Sequence, residues 1–516
     1  MVRRLLCCIF IMIAVAIFNK MCYAENINLL KWGDGTVNDV AKKKSIAQNI
    51  ENCSEYILAV AMMSIFTFLF LGAEYFFVNV ISLSASGDSA VNAQNYALGT
   101  SAVGFVVYPL INKINESFRK IARAVLVATA LFCLFFIYAN QAYGVRLALG
   151  LVLFLILGAI GGGVYYMSVC VMNDEKYLAR TVGVSYMLGI LFQFALNNLA
   201  SSAIINAVVL SLFLTALVCL LIRAERVSQS NELTKSTAEN SNTNADFADN
   251  KKSLSMAGVF LILLVVLMSC VFSTLDNAVT LAHADGAFDI GELPRILLAL
   301  SGLAAGFVFD IKGRKFMPLV MYCVMMLSTI CITVINFAGP FLIGLVVFYM
   351  TAGFFAVFFT TAFMEYSRRS NHTDLWSGLG RAVNNITAAV ISGFSLKLLS
   401  SGNYMAVFIL AVVLFAAVSV ASALYVMQLN KLKTPKNDDN DVPDDGDKFE
   451  SLAKRFSFTP REAEAFEHLV TTEDSVQEIA DKMYISRRTL ERYISAIYEK
   501  TGAKSRIGLF NIYNAK

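Results

Sequence analysis

From residue 55 to residue 427 the chain alternates apolar runs with short polar breaks. Each run holds about 20 residues, enough to cross ~30 Å of hydrocarbon as a helix. The pattern predicts twelve such helices: 55–81, 89–111, 121–139, 145–170, 179–199, 203–223, 254–276, 288–309, 316–336, 340–364, 378–400 and 404–427. Residues 224–253, between the sixth and the seventh, are rich in Ser, Asn, Thr, Ala and Glu and read as a flexible loop. This divides the block into halves, 55–223 and 254–427. Residues 428–449 carry six aspartates between Asp438 and Asp447 with no hydrophobic period, which reads as a solvated acidic linker. Residues 450–516 return to an amphipathic, helical composition.

Composition points to a chain that lies mostly in lipid. Hydrophobic residues make up 57% and charged residues 16% of the 516, where soluble proteins carry ~25% charged. Mean hydropathy is +0.62. These values exclude a disordered chain, a charge-coated nucleic-acid protein and an ordinary soluble enzyme. The net charge of +4 says little, so the placement of charge matters more. With the first run crossing from inside to outside, the inner segments collect the basic residues, among them Lys42, Lys43, Lys44, Arg119, Arg123, Arg180, Arg314, Arg368, Arg369 and Arg381. The outer ends hold only Arg146, Arg295 and Lys397. That asymmetry puts both ends of the block, and the tail, on the cytoplasmic side.

Ten cysteines are present, and Cys133, Cys170, Cys219, Cys270, Cys323 and Cys331 lie inside apolar runs with no CxxC pair. They read as packing residues in a reduced setting. Three histidines, none near a cysteine, make no metal site. No nucleophile–base set or phosphate loop points to an enzyme, and no cofactor is expected.

Residues 1–54 precede the first run. Arg3 and Arg4 come before the apolar stretch Leu5–Phe18, and Cys22-Tyr23-Ala24 resembles a cleavage site, as in a signal peptide. Cleavage followed by twelve crossings would leave the tail outside, against the charge pattern. A thirteenth span would put Arg3 and Arg4 on the wrong side, and a start at Met21 would remove the conflict. These readings stay open.

The two halves share landmarks. Gly104-Phe-Val-Val-Tyr108 ends the second run, and Gly306-Phe-Val-Phe-Asp310 ends the eighth, 202 residues later. Glu74 and Asp276 are separated by the same 202, and Arg180 and Arg381 by 201. Internal repeats of this kind mark pseudo-symmetric transporter bundles with a site between the halves. The stretch from Gly306 to Lys315, with Asp310 and the turn Lys312-Gly313-Arg314-Lys315, resembles the signature loop of the major facilitator superfamily. The first-half copy departs from it, with Tyr108 in place of the acid and Pro109 after it. In transporters of this family the first-half copy is usually the better one, so the departure argues against full alternating access. Carboxylates inside apolar spans face cavities or partners, which makes Glu74 and Asp276 candidate ligand-pocket residues. Gln193 and Asn197 are candidates beside them. Hydrated helix ends for the two acids, and interhelical contacts for the two amides, are the competing readings. Glu292 and Arg295 flank Pro294 and read as helix-end charges.

The tail carries the most specific motifs. Thr459-Pro-Arg-Glu462 is a capping box with proline at the first helical position, and Ser475-Val-Gln-Glu478 is a second box. Ser486 caps a third helix, whose Leu490, Ile494 and Ile497 fall on one face. Two short helices joined by a tight turn, the second with a basic outer face, form a helix-turn-helix. Together with Glu478-Ile-Ala480, Ile485-Ser486, Thr489-Leu490, Lys500-Thr-Gly502-Ala and Arg506, these residues resemble the LuxR-type DNA-binding domain over nearly all of 455–512. The resemblance implies four helices, a third helix that enters the major groove, and dimerisation through the last helix, Ile507–Tyr513. Arg488 and Arg492, one turn apart, are the candidate base readers, since arginine bonds bidentately to guanine, and Arg487 stands beside them as a further candidate DNA contact. Thr489, Tyr493, Lys500 and Lys504 are candidate phosphate contacts. Glu491 stands where the family usually has lysine, and Tyr493 where histidine is common.

The expectation is therefore an all-α protein, a polytopic bundle of two six-helix halves plus a four-helix DNA-binding domain. It reads as a one-component transcriptional regulator in a bacterial inner membrane, with double-stranded DNA, the bilayer, a small-molecule ligand and a second copy as partners. A working secondary transporter with an appended regulator is the alternative.

Overall fold

The computed structural model describes residues 39–139, 142–199, 202–236, 247–284, 293–338, 341–401, 404–433, 452–453, 455–471, 474–503 and 505–514. The chain divides into two compact units, residues 1–434 and 435–516. The first 38 residues, with the signal-like stretch, and the acidic run 438–447 lie outside the described residues.

Among the described residues of the first unit, twelve helices stand where the apolar runs predict them: α1 Asp39–Ser82, α2 Gly87–Lys113, α3 Glu116–Ala139, α4 Tyr143–Val171, α5 Leu178–Leu199, α6 Ala203–Ser236, α7 Phe247–Ala284, α8 Leu293–Phe309, α9 Met317–Ala338, α10 Phe341–Arg369, α11 Thr373–Ser400 and α12 Tyr404–Lys433. Four run well past the predicted ends. Helix α1 begins inside the expected N-terminal segment, α6 and α7 narrow the expected central loop, and α12 takes the first residues of the expected linker. The reason is that polar residues such as Glu225 and Arg226 continue a helix as well as apolar ones once it has started.

The packing has an internal two-fold. Helix α1 packs on α4, α5 and α6, and α7 packs on α10, α11 and α12. The pairs α2·α4, α3·α4 and α3·α6 recur as α8·α10, α9·α10 and α9·α12. Between the halves the principal contacts are α2·α11 and α5·α8, which the same two-fold exchanges. The fold is therefore an all-α bundle of two six-helix halves, and it is a multi-pass membrane protein.

Eight of the described helices are long and apolar enough to cross a membrane. Helices α2 and α11 are not among them, because they carry polar side chains toward each other and toward α7 rather than toward lipid. Asn95 donates to Asn277 at 2.8 Å, Asn277 to Ser395 at 2.6 Å, and Asn385 to Ser101 at 2.8 Å. All five of these residues are buried. Such interhelical bonds satisfy groups that hydrocarbon cannot.

Helices α5 and α8 approach backbone to backbone. A Cβ on Gly306 would lie 2.8 Å from the Ala179 carbonyl oxygen and 3.0 Å from the Gly183 Cα. Glycine at both positions is what lets the halves touch here.

The second unit has its own core of Phe466, Leu469, Ile479, Leu490, Ile497 and Leu509. Its helices are α13 Pro460–Thr471, α14 Val476–Lys482, α15 Arg487–Thr501 and α16 Arg506–Asn514. Helix α15 packs on α13 and α14, and α16 on α13.

Replacing Gly306 by leucine is expected to overpack the α5·α8 crossing and destabilise the bundle by about 1–3 kcal/mol. Thermal unfolding of the detergent-solubilised protein reads this, with Gly144→Leu, where nothing lies within 4 Å of a new Cβ, as the unchanged control.

Candidate functional site

Two sites stand out, one in each unit. In the tail, Ser475 and Glu478 form a reciprocal capping box at the start of α14. Thr459 and Glu462 do the same at α13, with Thr459 N donating to Glu462 at 2.7 Å and Glu462 N to the Thr459 hydroxyl at 3.4 Å. The chain then turns through Tyr484, whose φ is +55°. The Ser486 side chain accepts from Thr489 N and starts α15. Gly502, at φ +71°, closes α15 in the left-handed conformation that glycine adopts without strain.

The candidate DNA contacts divide sharply. Arg488 and Arg492 are exposed and engage no carboxylate among the described residues. They lie one turn apart on α15, so they face the same way. Arg487 is also exposed, but its Nε donates to Glu491 one turn on, at 2.9 Å. Thr489 exchanges a hydrogen bond with Ser486 at 2.7 Å, and Tyr493 packs against the core. Lys504 lies outside the described residues.

Lys500, a candidate phosphate contact, is engaged within the domain. Its Nζ donates to Glu462 at 2.6 Å and to the Ser457 carbonyl at 3.0 Å. It ties the end of α15 to the start of α13, because the Glu462 carboxylate is only 7% exposed and requires a cation. Arg506 serves similarly, donating to the Leu469 carbonyl at 2.7 Å and the Asp474 carbonyl at 2.5 Å.

Burial opposes the charged form of Glu462, yet the bonds from Lys500 and Thr459 outweigh it and hold the carboxyl below its ordinary value of 4.5. The backbone and side chain of Ser475 lower Glu478 in the same direction.

In the bundle, a cavity of about 160 Å³ lies between the halves. Glu74 from α1 and Asp276 from α7 both line it, as do Gln94, Arg295 and Arg381. Gln94 donates to Glu74 at 2.6 Å. Asp276, Arg295 and Arg381 make no hydrogen bond or ion pair among the described residues, and the Nε atoms of both arginines are buried without a partner. The Arg381 guanidinium sits 5.5 Å from the Phe70 ring centroid and 5.4 Å from that of Phe359.

Gln193 and Asn197 do not line this cavity. Gln193 is fully buried and donates to the Leu71 carbonyl at 2.7 Å. It joins α5 to α1, and the Asn197 amide nitrogen is buried without a partner elsewhere on α5. Sequence pattern also misplaces two arginines. It groups Arg381 with the inner-surface charges and Arg295 with helix ends, yet both line the cavity. Arg381 falls three residues inside the predicted span 378–400, so the rule that marks Glu74 and Asp276 marks it too.

The far end of the bundle is closed by ions. Asp310 accepts from Ala179 N at 3.1 Å and Arg180 N at 2.8 Å, at the start of α5. A carboxylate there meets the positive end of the helix dipole. Arg314 donates to Glu365 at 3.0 Å, to Asp310 at 3.3 Å and to the Glu175 carbonyl at 2.6 Å. Lys312, Gly313 and Arg314 all have positive φ, at 49°, 64° and 65°. In the first half, Tyr108 stands in place of the acid and packs its ring on Gly162 and Gly163.

Residues 456–512 match the family described as bacterial regulatory proteins, luxR family. This assigns the tail to the LuxR-type helix-turn-helix class. Solved structures similar to the chain include the nucleoside transporter NupG, at 14% identity over 74% of this chain and 100% of that one, with a TM-score of 0.44. A variant of NupG is 13% identical over 72% and 99%, with a TM-score of 0.42. A variant of the E. coli fucose:proton symporter FucP is 12% identical over 72% and 99%, with a TM-score of 0.41. No curated protein matches the chain. The chain thus joins a LuxR-type DNA-binding domain to a helical membrane bundle.

Substituting Lys500 by methionine is expected to lower the stability of the tail by about 1.5–3 kcal/mol, leaving the operator affinity of the folded fraction unchanged. Arg488→Ala does the reverse, weakening operator binding by about 1–3 kcal/mol at unchanged stability. Denaturant titration and DNA binding on the same samples separate the two.

The lowered carboxyls of Glu462 and Glu478 contribute stability that is present above pH 4.5, their ordinary value. It is lost as the pH falls through their lower folded values. Circular dichroism melts of residues 435–516 should therefore hold level down to about that pH and fall below it, and Glu462→Gln should flatten the fall.

Proposed function

We propose that the protein is a membrane-bound one-component transcriptional regulator. Its bundle senses a ligand in the Glu74–Asp276 cavity, and its tail binds promoter DNA from the cytoplasmic side of a bacterial inner membrane. The observation that carries this reading is Arg488 and Arg492, exposed and uncommitted on the third helix of a LuxR-type domain. Arginines so placed can read guanine edges in the major groove. The lysine and arginine asymmetry supports the cytoplasmic placement. Within the bundle, Arg146 is buried and donates to the Val80 carbonyl at 2.9 Å, while Arg295 and Arg381 line the cavity.

A second copy completes the reading. Ile507 is 73% and Phe510 49% exposed on α16, an apolar face that suits dimerisation on a two-fold operator. Coupling requires that the ligand prefer one arrangement of the halves. The transporter alternative draws on the unpaired charges in the cavity. It predicts substrate accumulation in vesicles, abolished by Asp276→Asn.

The deciding experiment is crosslinking and genome-wide recovery of DNA with the intact protein, beside an Arg488→Ala/Arg492→Ala variant. Enrichment at a few promoters, lost in the variant, is the expected outcome. Equal recovery from both proteins would overturn the role given to α15.

A further inference from the structure

The cavity holds four formal charges, two of each sign, so it is neutral overall and strongly dipolar. Glu74 is within electrostatic range of Arg295 and Arg381, and Asp276 of Glu74 and Arg295. Yet among the described residues Glu74 alone of the four has a hydrogen-bond partner, the neutral Gln94. Arg381 is 8% exposed, with its guanidinium between two aromatic rings. Charges left unpaired inside a membrane bundle are costly and mark positions that something else occupies.

The charge balance selects the occupant. A simple cation would satisfy the acids but add net charge next to Arg381. A simple anion would do the converse beside Glu74 and Asp276. A molecule with both charges answers each side and leaves the site neutral. The volume sets its size, because a cavity of about 150 Å³ accommodates benzene, and this one is about 160 Å³. That fits a ligand of roughly six to ten heavy atoms. Phe70, Phe272, Phe355 and Phe359 supply the apolar wall for its remainder.

We propose that the ligand is a small zwitterion of the α-amino-acid class, its carboxylate taken bidentately by Arg381 and its ammonium held between Glu74 and Asp276. Planar, forked recognition of a carboxylate is what arginine does and lysine does not. The proposal rests on the sensing role only in naming this molecule as the signal. The binding itself is independent of DNA.

The test is thermal unfolding of the full-length protein in lipid nanodiscs with each of the twenty common L-amino acids. The best one is then compared with its decarboxylated amine and its deaminated acid. At least one amino acid should stabilise saturably, and both truncated analogues should bind at least 100-fold more weakly. Arg381→Gln should abolish binding of the amino acid, with Arg381→Lys restoring only part of it. Asp276→Asn, on the other half, should weaken the amino acid and the amine but not the acid. Stabilisation by none of the twenty, or an analogue binding as tightly as its parent amino acid, would overturn the proposal. These two readings come from the wild-type protein, so they stand even where a variant does not fold. Operator affinity that ignores a bound amino acid would instead sink the sensing role and leave the ligand class standing.

Discussion

A charge inside a membrane bundle must be answered by another group, and this constraint organises the first unit of the protein. At one end it is met by a cluster of ions. Asp310 rests on the backbone of α5, and Arg314 is shared among Glu175, Glu365 and Asp310. That set of contacts holds three successive residues in the left-handed region, an arrangement that costs of order 1–3 kcal/mol per non-glycine residue unless the surroundings over-determine it. Between the halves the constraint is left open: among the described residues Asp276, Arg295 and Arg381 line the cavity without a hydrogen bond or ion pair. The same physics locks one end and leaves the centre receptive.

The internal two-fold explains where the receptive part lies. Glu74 and Asp276 occupy matching places in α1 and α7, the helices that pack against most of their own halves. The two-fold brings them to one cavity. The halves are not equal, however. Tyr108 cannot accept as Asp310 does, and beside it the pair Arg123–Glu225 joins α3 to α6 within the first half. Arg180 stands at the third residue of α5 beside Asp310, while Arg381 stands at the ninth of α11 and points to the cavity. An offset of 201 in number thus hides a difference of depth.

Much of the architecture was legible in the sequence because it rests on local chemistry. Apolar run length located all twelve helices of the bundle, and serine and threonine caps located the helices of the tail. The acids of the cavity were legible too, since a carboxylate in an apolar run has few explanations. Other features depend on packing that one-dimensional pattern does not carry. Gln193 has the same composition signal as a pocket residue, but its neighbour is the Leu71 carbonyl. Lys500 looks like a phosphate contact until Glu462, 38 residues earlier, is brought beside it. The polar character of α2 and α11 weakens their signal as spans for the reason that makes them important: they face each other across the middle.

The commitment of Arg487 to Glu491 has a consequence for how much sequence the tail can discriminate. With that arginine engaged on its own helix, each α15 offers two free guanidinium groups about 6 Å apart along the axis. Successive base pairs rise 3.4 Å, so a helix lying along the groove would sample positions roughly two steps apart. Such a reader has a short vocabulary. On the proposed regulatory reading, selectivity among the many sites of a genome would then come from joining two copies and from confining the search to DNA that passes near the membrane. The bundle would act as an address as well as a sensor.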